Sequence, residues 1–328
     1  MSVIQQALRL FQDHYQGRLK TVEHRIDQRE KIHEYHYFDS PLLRPGNGPR
    51  LLSHGEPTDD VIVFTHGLSD SPFYMESVAR RFYERGCNVV MPLLPAHGLK
   101  DPDEAMEDRL LDRKWKKTID NAVETALLLK KPGGRLSLGG FSTGGALSLN
   151  KVLRDRDHQV NGGLFLFSGA LEIGDITETV GRLSFIQSIT RITDGKVRGQ
   201  GPNPYKYPEL PNFAGLELIQ IINENNRQLA KRKVALPVFA AHSVHDTTAR
   251  LEGIVHFMKE HAERGVTVII AHDVPHANLP LEAPIELGEL LHPDDEPEHP
   301  PHANPQFEWM MTGALYFFER ELRGGGTL

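Results

Sequence analysis

Apolar residues along the chain fall into two kinds of stretch. Short runs bounded by turn residues read as strands, and longer segments with apolar positions at three- and four-residue spacing read as amphipathic helices. Strand runs are Tyr35 to Phe38, Val61 to Phe64, Asn88 to Met91, Arg135 to Gly139, Leu164 to Phe167, Val234 to Ala241 and Val266 to Ala271. The clearest helix is Lys114 to Lys130, where Trp115, Ile119, Ala122, Val123, Ala126 and Leu129 share one stripe. Further helices are expected over Ile4 to Tyr15, Gly145 to Leu153, Gly215 to Leu229, Leu251 to Glu263 and Phe307 to Leu322. Ser71-Pro72, a cap residue followed by proline, reads as the opening of another helix that ends near Gly86. Strand and helix signals alternate almost to the end, which predicts one α/β domain over residues 1–328 rather than two domains.

Two segments break the alternation. Residues 171–232 separate the Leu164 strand from the Val234 strand, with a weakly amphipathic stretch from Val180 to Thr193, a Gly/Pro/Tyr-rich loop from Gly195 to Pro211, and the helix from Gly215. An excursion of that length inside a compact domain usually serves binding, so an inserted cap is expected there. The second segment, His292 to Pro305, mixes carboxylates, histidines and prolines without regular spacing. It fits a solvated loop better than a metal site. Residues 1 to 40 carry no functional signal.

Composition narrows the class. With 39% hydrophobic and 25% charged residues in 328, the chain can bury a large core. A formal net charge of -7 argues against a nucleic-acid partner, and the basic runs at Lys114 to Lys117 and Lys231 to Lys233 fit solvated helix surfaces. Cys87 is the single cysteine, so no internal disulfide can form. No apolar span approaches the roughly twenty residues a membrane helix needs. Met1 to Leu10 lacks the charged start and unbroken apolar run of a signal peptide, which makes a cytoplasmic location the expectation.

The most specific chemistry is Gly140-Phe141-Ser142-Thr143-Gly144, a G-x-S-x-G run between an expected strand and an expected helix. A serine on such a sharp turn is held out at the carboxyl edge of a sheet, and its flanking positions must be small because strand and helix approach closely. Phosphate-binding alternatives fail: no Lys followed by Ser/Thr comes after the last glycine, and the glycines do not occupy the first, third and sixth places of a dinucleotide loop. A hydroxyl needs a base, and the base a carboxylate to orient it. Asp246 follows the Val234 strand and His276 follows the Val266 strand, beyond Pro275. His272, at the end of the strand, is less able to reach back to Ser142. Asp273 fits a loop-capping role, and His242 and His245 line the Asp246 loop.

The order Ser142, Asp246, His276 resembles that of α/β-hydrolases of the carboxylesterase and monoacylglycerol-lipase-like group. The likeness extends over most of residues 50 to 322 and includes two more motifs. Phe64-Thr65-His66-Gly67-Leu68 is similar to the family's H-G-x oxyanion loop, with His66 in a structural role. Leu93-Leu94-Pro95-Ala96-His97-Gly98 resembles its L-P-G-H-G turn, with Ala96 where Gly is commoner. The resemblance implies an α/β-hydrolase fold, a mostly parallel central sheet with helices on both faces and an inserted cap. It also implies a catalytic set of Ser142, Asp246 and His276, with backbone N–H groups of Leu68 and Thr143 as the oxyanion hole. The expected activity is hydrolysis of a small-molecule carboxylic ester of short to medium acyl length, without cofactor or metal. A thioesterase or acyltransferase could use the same residues, and a non-catalytic binding protein could keep the pocket. Oligomeric state has no signature in the sequence.

Overall fold

Strands β1 (Glu23–Asp27), β2 (Glu34–Asp39), β3 (Arg50–Ser53), β4 (Thr58–Thr65), β5 (Cys87–Met91), β6 (Lys130–Phe141), β7 (Leu164–Phe167), β8 (Val238–Ser243) and β9 (Gly265–Ile270) form one sheet. The computed structural model describes residues 1–171, 201–210, 212–289, 296 and 300–324. The sheet order is β1-β2-β3-β5-β4-β6-β7-β8-β9. From β5 to β9 neighbouring strands run parallel, and β1, β2, β3 and β5 pair antiparallel. Strands β5, β7 and β8 are buried along their whole length, as strands covered by helices on both faces must be. The edge strands β1 and β9 are partly exposed.

One face is covered by α1 (Val3–Asp13), α4 (Leu111–Leu128), α5 (Thr143–Arg154) and α7 (Leu251–Glu260), whose apolar stripes join a single buried cluster with the sheet. The opposite face is covered by α2 (Glu76–Tyr83) and α8 (Phe307–Phe317). A one-turn helix, α3 (Asp103–Met106), precedes α4, and α6 (Asn212–Leu229) lies in the expected cap region. Cys87 is fully buried in β5, and burial pushes its thiol well above the ordinary range. No helix among the described residues is long and apolar enough to cross a membrane.

Several boundaries differ from the sequence expectation. Ser71 does not cap a helix. Its hydroxyl is buried without a partner among the described residues, and Pro72–Met75 forms a 3-10 turn before α2 begins at Glu76. β8 starts at Val238, not Val234, because Pro237 has no N–H to give a ladder; Val234 makes only an isolated bridge to Ala262. α8 ends at Phe317 and continues as a π turn through Leu322. The Val180 to Thr193 stretch lies outside the described residues.

Residues 1 to 40, where a helix over Ile4 to Tyr15 and a strand over Tyr35 to Phe38 are expected, extend the sheet with β1 and β2 and pack α1 on the face that α4 and α5 cover. Ser2 and Gln5 form a reciprocal capping box on α1. Glu76, buried in α2, accepts from Arg29, Arg50, Arg80 and the Tyr35 hydroxyl, tying β2 and β3 to the helix. Burial alone would push this carboxyl up; the three guanidinium groups outweigh it and hold it below its ordinary range.

Candidate active site

Strand β6 delivers Ser142 at the carboxyl edge of the sheet in a conformation a side chain rarely adopts, φ 52° and ψ −115°, and α5 starts at the next residue. The carbonyl of Ser142 accepts from Gly145, Ala146 and Ala170, and its N–H donates to Phe167, so the strained backbone is fixed from both sides. The two flanking glycines are required by contact. A Cβ at Gly140 would stand 2.7 Å from Thr65 O, and one at Gly144 2.7 Å from His66 O. The elbow anticipated from the sequence is therefore present, with the end of β4 pressed against the first turn of α5.

Asp246 lies in the loop after β8. Its Oδ1 accepts from the Thr248 and Ala249 N–H groups at 2.9 and 2.8 Å, and its Oδ2 lies 2.6 Å from His276 Nδ1. The carboxyl is fully buried; burial pushes it up, but His276, then His242 and the Ala249 N–H, hold it below the ordinary carboxylate range. His276 opens a short 3-10 turn after Pro275, and its ring lies against Phe141 with centroids 4.7 Å apart. Among the described residues the Ser142 hydroxyl has no hydrogen bond to the imidazole. A neutral ring with its proton on Nδ1, toward Asp246, presents the Nε2 lone pair.

The other candidates sit elsewhere. His272 is exposed, and Asp273, 87% exposed, faces His245 at 3.9 Å. His242 is different: buried beneath the loop, its Nε2–H donates to Ala249 O at 2.6 Å and stands 3.5 Å from Asp246 Oδ2. Burial holds that imidazole below its ordinary pKa. Sequence position alone left its role open, since nothing in a run of loop histidines says which one turns inward.

On the other side of Ser142, His66 is a strut between two loops. Its Nδ1–H donates to Gly67 O at 2.8 Å, and its Nε2 accepts from Leu94 N–H at 3.1 Å. Burial lowers its pKa well below the ordinary value, so the ring is neutral. Leu68 is the second residue beyond it, and Thr143 is the first residue of α5, where an N–H has no acceptor within the helix. Two neighbours were not anticipated: Asp70, 1% exposed, lies against Gly67, and Lys206 reaches it from the region expected to form the cap. Among the described residues no group of three or more metal-ligating side chains occurs, and much of 292–305 lies outside them.

Solved structures share the architecture. A chain from the metagenome-derived lipolytic enzymes LipS and LipT superposes with a TM-score of 0.60 at 17% identity, covering 85% of this chain and 99% of the other. The monoacylglycerol lipase of Paleococcus ferrophilus gives 0.55 at 16% identity, covering 82% and 98%. DcsB, solved with a substrate analogue, gives 0.54 at 14% identity, covering 92% and 100%. No curated protein sequence matches significantly. Residues 62–290 match the family described as "Alpha/beta hydrolase family", and with its elbow, parallel sheet and lipase and esterase structural relatives, the chain belongs to that family.

Proposed function

We propose that this protein is a serine hydrolase of carboxylic esters. The observation that carries the reading is the Asp246–His276 hydrogen bond set beside the strained Ser142 elbow. In the proposed reaction the Ser142 Oγ bonds to the ester carbonyl carbon while His276 Nε2 takes the hydroxyl proton. The carbonyl electron pair moves onto oxygen, where the Leu68 and Thr143 amides donate to it. Collapse breaks the bond to the alcohol, which leaves with the proton from His276, and water then repeats the sequence on the acyl-enzyme. Asp246 holds the imidazole in the required tautomer.

An apolar acyl pocket is supported by the cluster that joins Leu68 and the α5 residues Ala146 and Leu147 to Tyr207, Leu210 and Ala214 of the proposed cap. Each methylene it buries is worth about 0.8 kcal/mol, so kcat/KM rises with acyl length until the pocket is full. Short to medium chains are the expected substrates. The test is a p-nitrophenyl ester series of increasing acyl length with wild type and Ser142→Ala. Acetyl preferred over every longer ester sinks the apolar pocket, and activity surviving in Ser142→Ala sinks the hydrolase reading. An acyltransferase would instead pass its acyl group to added alcohol or thiol acceptors faster than to water.

A further inference from the structure

The turn that carries Leu68 is gripped by a segment more than a hundred residues away in sequence. Tyr207 N–H donates to Ser69 O at 2.9 Å, and Lys206 Nζ lies 2.5 Å from Asp70 Oδ1. That segment is itself anchored to the core. Arg44 donates to the carbonyls of Asn203 and Lys206 at 2.8 and 3.2 Å, Asn47 donates to Pro204 O at 2.9 Å, and Tyr205 stacks on Phe73 with ring centroids 3.6 Å apart.

Two features make the grip consequential. Ser69 has φ 68°, a strained conformation for a residue with a Cβ, so its shape depends on the contacts around it. Asp70 is 1% exposed and folds back: a Cβ on Gly67 would strike its Oδ2 and stand 2.9 Å from the Phe141 ring. That Oδ2 is buried with no partner among the described residues. A carboxylate packed on Gly67, one residue before Leu68, opposes negative charge developing on an acyl oxygen at the Leu68 amide. Inside a protein such opposition is weakly screened. The Lys206 ammonium is the charge that cancels it.

We propose that Lys206 is a positioning residue for the reaction, neutralising Asp70 and, with Tyr207, holding the Gly67–Asp70 turn so that the Leu68 amide can donate to the oxyanion. The proposal rests on the ester-hydrolase reading of Ser142. Its test is kcat and KM on p-nitrophenyl butyrate, with thermal unfolding alongside, for wild type, Ser142→Ala, Lys206→Met, Lys206→Arg and the neutral pair Asp70→Asn/Lys206→Met. Lys206→Met lowers kcat about 10- to 100-fold with little change in KM, because the lost effect acts on transition-state charge. Lys206→Arg retains most of the rate, and the neutral pair recovers most of what Lys206→Met loses. If Lys206→Met does not fold, Lys206→Gln, which keeps a donor but not the charge, takes its place with the same expectation. An inactive wild type, or an active Ser142→Ala, overturns the hydrolase reading and this proposal together. With those two behaving as expected, an unchanged kcat, a change confined to KM, or a neutral pair as slow as Lys206→Met overturns the role of Lys206 alone.

Discussion

At the scale of single residues, the elbow concentrates strain on the one side chain proposed to react. Ser142 is held at φ 52° by backbone bonds from both sides, and none of them uses its hydroxyl. Ser142→Ala therefore leaves the melting temperature near that of wild type while kcat falls on the order of 10⁴- to 10⁶-fold. His276→Ala falls as far, and the double variant barely further, because the residues act as a unit; additive losses in steady-state kinetics would break the assignment. Asp246→Asn lowers kcat by roughly 10³- to 10⁴-fold, since an amide favours the wrong imidazole tautomer. Near-normal turnover there would move the acid to another carboxyl. His272→Ala stays active, consistent with a side chain in solvent.

At the scale of elements, the helix of the proposed cap is partly core. α6 buries Ala214, Leu218, Ile221 and Ile222, and Asn225 bridges Asn150 and the Ala146 carbonyl on α5. The helix that follows the serine thus leans on the proposed cap. Leu218→Ala is expected to destabilise the protein by about 2 to 5 kcal/mol, the usual cost of such a truncation in a packed site, and urea denaturation measures it. A loss below about 1 kcal/mol, nearer that of a surface substitution, would mean α6 docks loosely. Excising residues 176–229 to test the acyl pocket would remove α6 with the rest, so a loss of folding is the expected result.

At the scale of the whole molecule, buried neutral histidines make the fold acid-sensitive. Burial pushes His97 down to about 4, and burial with the neighbouring His24 does the same to His36, from an ordinary value of 6.5. Between those values the unfolded chain binds protons that the folded chain refuses, so stability falls as pH drops from about 6.5 toward 4. His66 and His242 shift in the same direction. The depressed carboxyls of Asp246 and Glu76 add stability above their unfolded values that is lost as pH falls further through their folded ones. For His97 alone the full swing is about 3 kcal/mol. Thermal denaturation should give a clearly lower midpoint at pH 5 than at pH 7, and equal midpoints would show that these rings are hydrated.

Local pattern was enough to predict strands β2 and β4 to β9 and the elbow, and to propose Ser142, Asp246 and His276 in that order. Each is written in short-range signals: unbroken apolar runs, glycines two residues either side of a serine, a loop after a strand. Boundaries slipped where a single residue outweighed the pattern, as at Pro237, which delays β8, and Ser71, whose hydroxyl is buried instead of capping. Which histidine would meet Asp246 was inferred from loop position, but the 2.6 Å contact, and His242 beneath it, depend on how β8 and β9 lie side by side. The pairing of Lys206 with Asp70 had no signal at all. An ion pair between residues so far apart in sequence exists only because the chain returns over the Leu68 turn, and no propensity or spacing encodes where a loop comes back.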